Sequence, residues 1–253
     1  MENPNGIKLF FKFRPFLTID NIYRIKEIVA DSRIFFPNRS KLNDPFESIV
    51  SEIKIPGIMG SSIYHTTDQE YNFIASMRDE FKILALSTSC FSPLMWAHYG
   101  NEHKGVCLCF RADMSFKNAA PVNYTDILRS HVVLEQDRDA LYSIIHEDFF
   151  YKRSDWEYEK EWRIVEKTTQ DYLPFDIQEL LAVIFGHSAD ESYKKELIDF
   201  LPPHVQVFKT RIGTQSGKIH LVRENDSIPL NGSPVPFIDT ENDLYNAIMD
   251  YSN

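Results

Sequence analysis

Two glutamates one residue apart, Glu159 and Glu161 in the run YEKEWRIV, stand at the mouth of an apolar stretch that reads as a strand. Alternate residues of an extended chain share a side, so each carboxylate raises the cost of ionising the other. Such a pair belongs either to a site that exploits the crowding or to an exposed strand edge neutralised by Lys160 and Arg163. Arg14, in FKFRPF, carries a planar fork of donors that can bind two anionic oxygens in parallel, as a lysine cannot; beside Pro15 it also suits a strand-end surface position. Ser87, Thr88 and Ser89 in ALSTSC place hydroxyls at a strand end, where capping of loop amides is their commonest use. Trp96 and Tyr99 in WAHYG supply aromatic area for a flat ring or for the core.

Other combinations carry less. His98 and His103 lie five apart, and on a helix that spacing diverges whereas i and i+4 share a face. No HExxH or clustered Asp/His set accompanies them, so no metal site is assigned, and a metal hydrolase built on His98, His103 and Asp44 is the weakest of the readings. Asp44 and Glu47 in NDPFE read first as turn punctuation, with Phe46 as a core anchor. Cys90 has no neighbouring base in the sequence to make it a nucleophile.

The elements that must hold these residues follow from pattern. KLFFKFRPF predicts a strand halted by Pro15. Thr18 or Asp20 caps a helix whose Ile22, Ile25, Ile28 and Val29 repeat with helical spacing. SRIFFP is a short strand, residues 68–81 a helix, and FKILALSTS a strand covered on both faces. PLMWAHYG is a helix ending at Gly100 or Gly105, and GVCLCF a strand with Cys107 and Cys109 on one face. Residues 126–152 read as a long charge-rich helical segment. WRIVEK, LLAVIFG, VQVFKTRI and KIHLVR are strands, SYKKELIDFL is a helix, and a last short helix forms at LYNAIM. Helices and strands mix without a regular βαβ period, so the expected class is α+β: a split, mostly antiparallel sheet with flanking helices. Residues 1–225 are expected to form one domain, with 226–253 as a tail.

Composition narrows the partners. Of 253 residues 43% are hydrophobic and 25% charged, enough for a sizeable core. A net charge of −10 argues against tight, sequence-independent binding to nucleic acid, which requires clustered Lys and Arg. Three cysteines without a CxxC pair suit a reducing cytosol. No apolar run reaches the roughly 20 residues of a membrane span, and MENPNGIKLFFKF lacks the features of a signal peptide. A cytoplasmic protein is expected.

KLNDPFES, LMWAHYGNEHKGVCLCF and WEYEKEWRIV, with FKFRPF, resemble the signature blocks of a bacterial family of domains of unknown function, number 2971. A second resemblance is to the arginine-serine-glutamate mono-ADP-ribosyltransferases, which carry an Arg ending the first strand, a Ser-Thr-Ser on a later one and a Glu-x-Glu before another. Arg14, Ser87-Thr88-Ser89 and Glu159/Glu161 occur here in that order. That resemblance implies an ADP-ribosyltransferase-like fold and NAD as a substrate. Glu161 would stabilise the oxocarbenium-like sugar formed when the nicotinamide–ribose bond breaks. Glu159 would orient or deprotonate the acceptor, and Ser87 would hold the glutamate in position. Arg14 would bind the pyrophosphate, with Ser89, Trp96 and Tyr99 completing the dinucleotide site. It implies no particular acceptor; a toxin or phage-defence setting fits the chemistry. The alternative is a non-catalytic binding or interaction module of a bacterial defence or regulatory system.

Overall fold

The structure is a computed structural model that describes residues 6–42, 44, 51–54, 68–132, 137–213, 216–224 and 237–250. Its elements begin with β1 (Leu9–Arg14), α1 (Ile19–Asp31), β2 (Arg33–Phe35), β3 (Ser51–Lys54), α2 (Asp68–Arg78), β4 (Phe81–Ser87) and α3 (Pro93–His98). There follow β5 (Val106–Arg111), β6 (Ala120–Pro121), β7 (Asn123–Tyr124), β8 (Arg129–Val132), α4 (Arg138–Asp148), β9 (Tyr151–Lys152) and β10 (Glu161–Lys167). The chain closes with β11 (Tyr172–Pro174), β12 (Leu180–Phe185), α5 (Glu191–Ile198), β13 (Gln206–Gly213), β14 (Lys218–Arg223) and α6 (Glu241–Met249). They gather into two compact units, one of Met1–Ile34, Leu86–Asn118 and Pro174–Asn253, the other of Phe35–Ala85 and Ala119–Leu173.

The first unit is built on strands in the order β14-β13-β12-β5-β1. All neighbours are antiparallel except β12 and β13, which run parallel because α5 carries the chain back between them. Every residue from Val106 to Phe110 is fully buried, so β5 is apolar on both faces and alternation is absent. Burial pushes the thiols of Cys107 and Cys109 up, beyond reach as thiolates. Thr18 caps α1 and accepts from the Asn21 amide, and the Asn21 side chain returns to the Thr18 amide. The stripe Ile22, Ile25, Ile28 and Val29 is buried as the spacing predicts. α6 buries Leu244 and Ile248, and the Gln206 side-chain amide of β13 donates to the Ile248 carbonyl at 2.7 Å.

In the second unit α2 and α4 share a core that includes Ile74, Met77, Phe81, Leu141, Ile145 and Phe149. β10 pairs antiparallel with β6, β3 parallel with β8, and β7 parallel with β9. The long helix expected over residues 126–152 is not there. Among its described residues the middle alone is helical, as α4, because the Asp137 side chain accepts from the Ala140 amide and fixes a start there. The flanks are strands, β8 and β9, claimed by partners remote in sequence.

The whole is a mixed α+β protein with mostly antiparallel pairing. Among the described residues no helix is long and apolar enough to cross a membrane.

Candidate functional site

The glutamate pair lies within the second unit. A 3-10 helix, Ser154–Glu159, ends at Lys160, whose left-handed backbone (φ 46°, ψ 51°) turns the chain so that Glu161 opens β10. Both carboxylates are buried, at 4% and 5% exposure, which corrects the exposed-edge expectation. The cause is a buried cation from β9: Lys152 Nζ lies 2.6 Å from Glu159 Oε2 and 3.1 Å from Glu161 Oε2. Arg163 forks onto Glu161, Nε to Oε1 at 2.6 Å and Nη2 to Oε2 at 2.9 Å, and its Nη1 donates to the Phe149 carbonyl at 2.6 Å. The Glu161 amide donates to the Tyr124 hydroxyl at 2.8 Å. Two cations thus face two carboxylates.

Burial alone would raise the Glu161 pKa, but the charges and hydrogen bonds of Arg163 and Lys152 outweigh it and hold the group at about 2. Glu161 is therefore a fixed negative charge near neutrality and no proton carrier. A carboxylate offers about four acceptor positions. Among the described residues Arg163 Nε and Nη2 and Lys152 Nζ occupy three, which leaves one on Oε1. The role of Arg163 was foreseeable from its spacing. Nothing local marks Lys152, whose place depends on β9 pairing with β7.

The other predicted residues lie in the first unit. Ser87 sits opposite Phe11 of β1, buried, and its hydroxyl serves its own turn: Oγ donates to the Ser89 carbonyl and accepts from the Ser89 amide, each at 3.1 Å. Ser89 Oγ accepts from the Phe91 amide at 3.3 Å. Trp96 is fully buried in α3, edge-on to Phe13 with ring centroids 5.1 Å apart, and its indole N–H donates to the Cys90 carbonyl at 2.7 Å. That is core use. Tyr99, half-buried, closes α3.

Arg14, at the end of β1, pairs through its backbone with Val106. Its guanidinium is half-buried and has no hydrogen-bond or ion-pair partner among the described residues. Burial first, and then the charge of Arg24, lowers its pKa to about 10, so it stays cationic at neutral pH. Beside it the block WAHYGNEHKG folds into an uncommon turn. Asn101, Glu102 and His103 all take left-handed backbone, with φ of 47°, 56° and 65°. The turn is tied by His103 N to the Trp96 carbonyl at 3.0 Å and Gly105 N to the Gly100 carbonyl at 2.7 Å. A Cβ on Gly105 would lie 2.6 Å from the carbonyl oxygens of Arg14 and Gly100, so only glycine allows the approach. The His103 ring lies 5.0 Å from that of His187, and its buried Nδ1 has no hydrogen-bond partner.

Asp44 is buried; Glu47 and Phe46 lie outside the described residues. Among the described residues no group of three or more His, Cys, Asp or Glu side chains is placed to hold a metal ion.

The left-handed turn after α3 and the Glu-x-Glu entrance to β10 stand near the two ends of one segment that can be matched to a known family. Residues 95–164 match the family described as Protein of unknown function (DUF2971). The DUF2971 match takes in most of LMWAHYGNEHKGVCLCF and WEYEKEWRIV, and with them Trp96, Tyr99, Glu159 and Glu161, while Arg14 and Ser87 lie outside it. No curated protein and no solved structure matches the chain. The DUF2971 description carries no chemistry, so function rests on the side chains.

Proposed function

We propose that the chain binds the phosphates of a dinucleotide through Arg14, that this dinucleotide is NAD, and that the protein acts as an ADP-ribosyltransferase-like enzyme or NAD hydrolase. One observation carries the reading: a half-buried guanidinium with no carboxylate beside it among the described residues. Burying an unpaired charge is costly, and an incoming anion removes the cost. Arg24 adds a second positive charge, and in a chain of net charge −10 such a locus is the exception.

Glu161 has the electrostatic property the reaction needs. When the ribose C1′–nitrogen bond breaks, nicotinamide leaves with the electron pair and the sugar becomes cationic. A carboxylate that stays ionised and keeps one acceptor position free can stabilise that cation. Water or an acceptor hydroxyl then attacks C1′ and loses its proton.

A second reading, a non-catalytic binding module, is favoured by the internal pairing of Lys152, Glu159, Glu161 and Arg163 and by the local use of the Ser87 and Ser89 hydroxyls. Calorimetric titration with NAD, together with chromatographic assay of released nicotinamide, separates the two. Wild type should bind NAD, Arg14→Gln should bind about 10-fold or more weaker, and Arg14→Lys should fall between, since a charge-assisted bond contributes about 1.5–3 kcal/mol. Wild-type protein that neither binds NAD nor releases nicotinamide leaves only the binding module.

A further inference from the structure

Three side chains that the nucleotide reading leaves unused, Ser216, His220 and Asp239, meet at the start of β14. Ser216 Oγ lies 2.9 Å from His220 Nε2, and across the ring His220 Nδ1 lies 2.5 Å from Asp239 Oδ1. Asp239 is brought from 19 residues further on by the bridge between Leu221 and Ile238, with N···O distances of 2.9 and 3.0 Å. Phe237 braces the imidazole, with ring centroids 4.9 Å apart. Gly213 completes the arrangement, because a Cβ there would lie 2.2 Å from Ser216 Oγ and 2.4 Å from His220 Nε2. A side chain at 213 would force Ser216 Oγ or the His220 ring to shift.

Turn formation alone accounts for only part of this. Ser216 Oγ accepts from the Lys218 amide at 3.2 Å, and its hydroxyl can donate either to the Gly213 carbonyl at 3.3 Å, which is ordinary turn capping, or to His220 Nε2 at the shorter 2.9 Å. That duty needs no imidazole on the hydroxyl and no carboxylate on the imidazole. In the tautomer that carries its proton on Nδ1, His220 donates to Asp239 and turns the Nε2 lone pair to the serine hydroxyl, which is the relation of nucleophile, base and orienting group.

We infer that Ser216 is a nucleophile activated by His220 and oriented by Asp239, taking acyl groups from small, unhindered esters. Ser216 is exposed, so an ester can approach it from solvent. Ser216 Oγ bonds to the ester carbonyl carbon as its proton passes to His220 Nε2. The carbon–alkoxide bond then breaks, and His220 returns the proton to the departing alkoxide. Water attacks the acyl-serine and gives its proton through His220 to Ser216 Oγ, which releases a carboxylic acid and restores the starting state.

The test treats the full chain with a fluorophosphonate probe and, separately, with p-nitrophenyl acetate, and locates the adduct by peptide mass. Wild type should be labelled at Ser216 and Ser216→Ala should not. His220→Gln should slow labelling about 100-fold or more, and Asp239→Asn at least about 10-fold, with thermal melts at the wild-type midpoint. A purely turn-capping serine would show no dependence on His220 or Asp239. Absence of label on wild type, label at another residue, or folded Asp239→Asn reacting at the wild-type rate overturns the assignment.

Discussion

Glu161 holds both of its oxygens against cations inside the protein, and that arrangement sets a pH dependence with a definite sign. Its pKa falls from an ordinary 4.5 to about 2 on folding. A depressed carboxyl contributes stability that is fully present above the unfolded value and is lost as pH falls through the folded one. The window is therefore from about pH 4.5 down to about 2, with on the order of 3 kcal/mol at stake. Urea unfolding followed across that range should show the gap between wild type and Glu161→Gln widest above pH 4.5 and closing toward pH 2. At neutral pH the variant should lose about 3–5 kcal/mol, because Arg163 and Lys152 keep their burial without their shared anion. A gap that stays constant with pH would contradict the ion-pair account. The adjacency of the glutamates could be read from the sequence; their burial could not. It depends on Lys152, seven residues before Glu159 and on a different strand, β9, and on a Tyr124 hydroxyl from β7.

At the scale of elements, legibility followed the locality of the cause. α1 carries its own start signal in Thr18 and its own buried stripe, so sequence and structure agree nearly to the residue. β5 could be read from GVCLCF because burial on both faces writes a continuous apolar run. Residues 126–152 misled because β8 and β9 owe their conformation to β3 and β7, and local composition records no partner. The same limit applies to the candidate sites. Arg14 is visible as a strand-end guanidinium, but its lack of a carboxylate among the described residues is a fact of packing, and Asp239 meets His220 through the bridge at Ile238. The left-handed turn over Asn101, Glu102 and His103 gives an element-scale prediction. Left-handed backbone costs roughly 1–2 kcal/mol per residue, so the turn must be held from outside. One holder is Gly186, whose amide donates to the Gly105 carbonyl at 2.9 Å and whose Cβ, if present, would lie 2.1 Å from the His103 carbonyl oxygen. Gly186→Ala should lower stability by about 1–3 kcal/mol, the usual cost of forcing extra volume into a packed site. Chemical denaturation measures it; an unchanged midpoint would show that the turn yields freely.

Across the whole molecule, the residues beyond the expected domain end at 225 take part in the first unit. α6 buries Leu244 and Ile248, and its last turn accepts from Gln206 and Arg223. Ending the chain after Thr240 should lower stability by on the order of 3–6 kcal/mol, from the two exposed side chains alone, while Asp239 stays in place. A denaturation midpoint equal to that of the full chain would mean α6 adds nothing to the core. The placement of β1 has a different consequence. LFFKFR pairs with β5, and Leu9 meets Arg111, 102 residues along the chain. During synthesis at about 5–20 residues per second, this aromatic strand leaves the ribosome several seconds before its partner exists. Phe10, Phe11 and Phe13 are all buried once the sheet closes. Until then the nascent chain presents them to water as an open invitation to chaperones and to other unfolded chains.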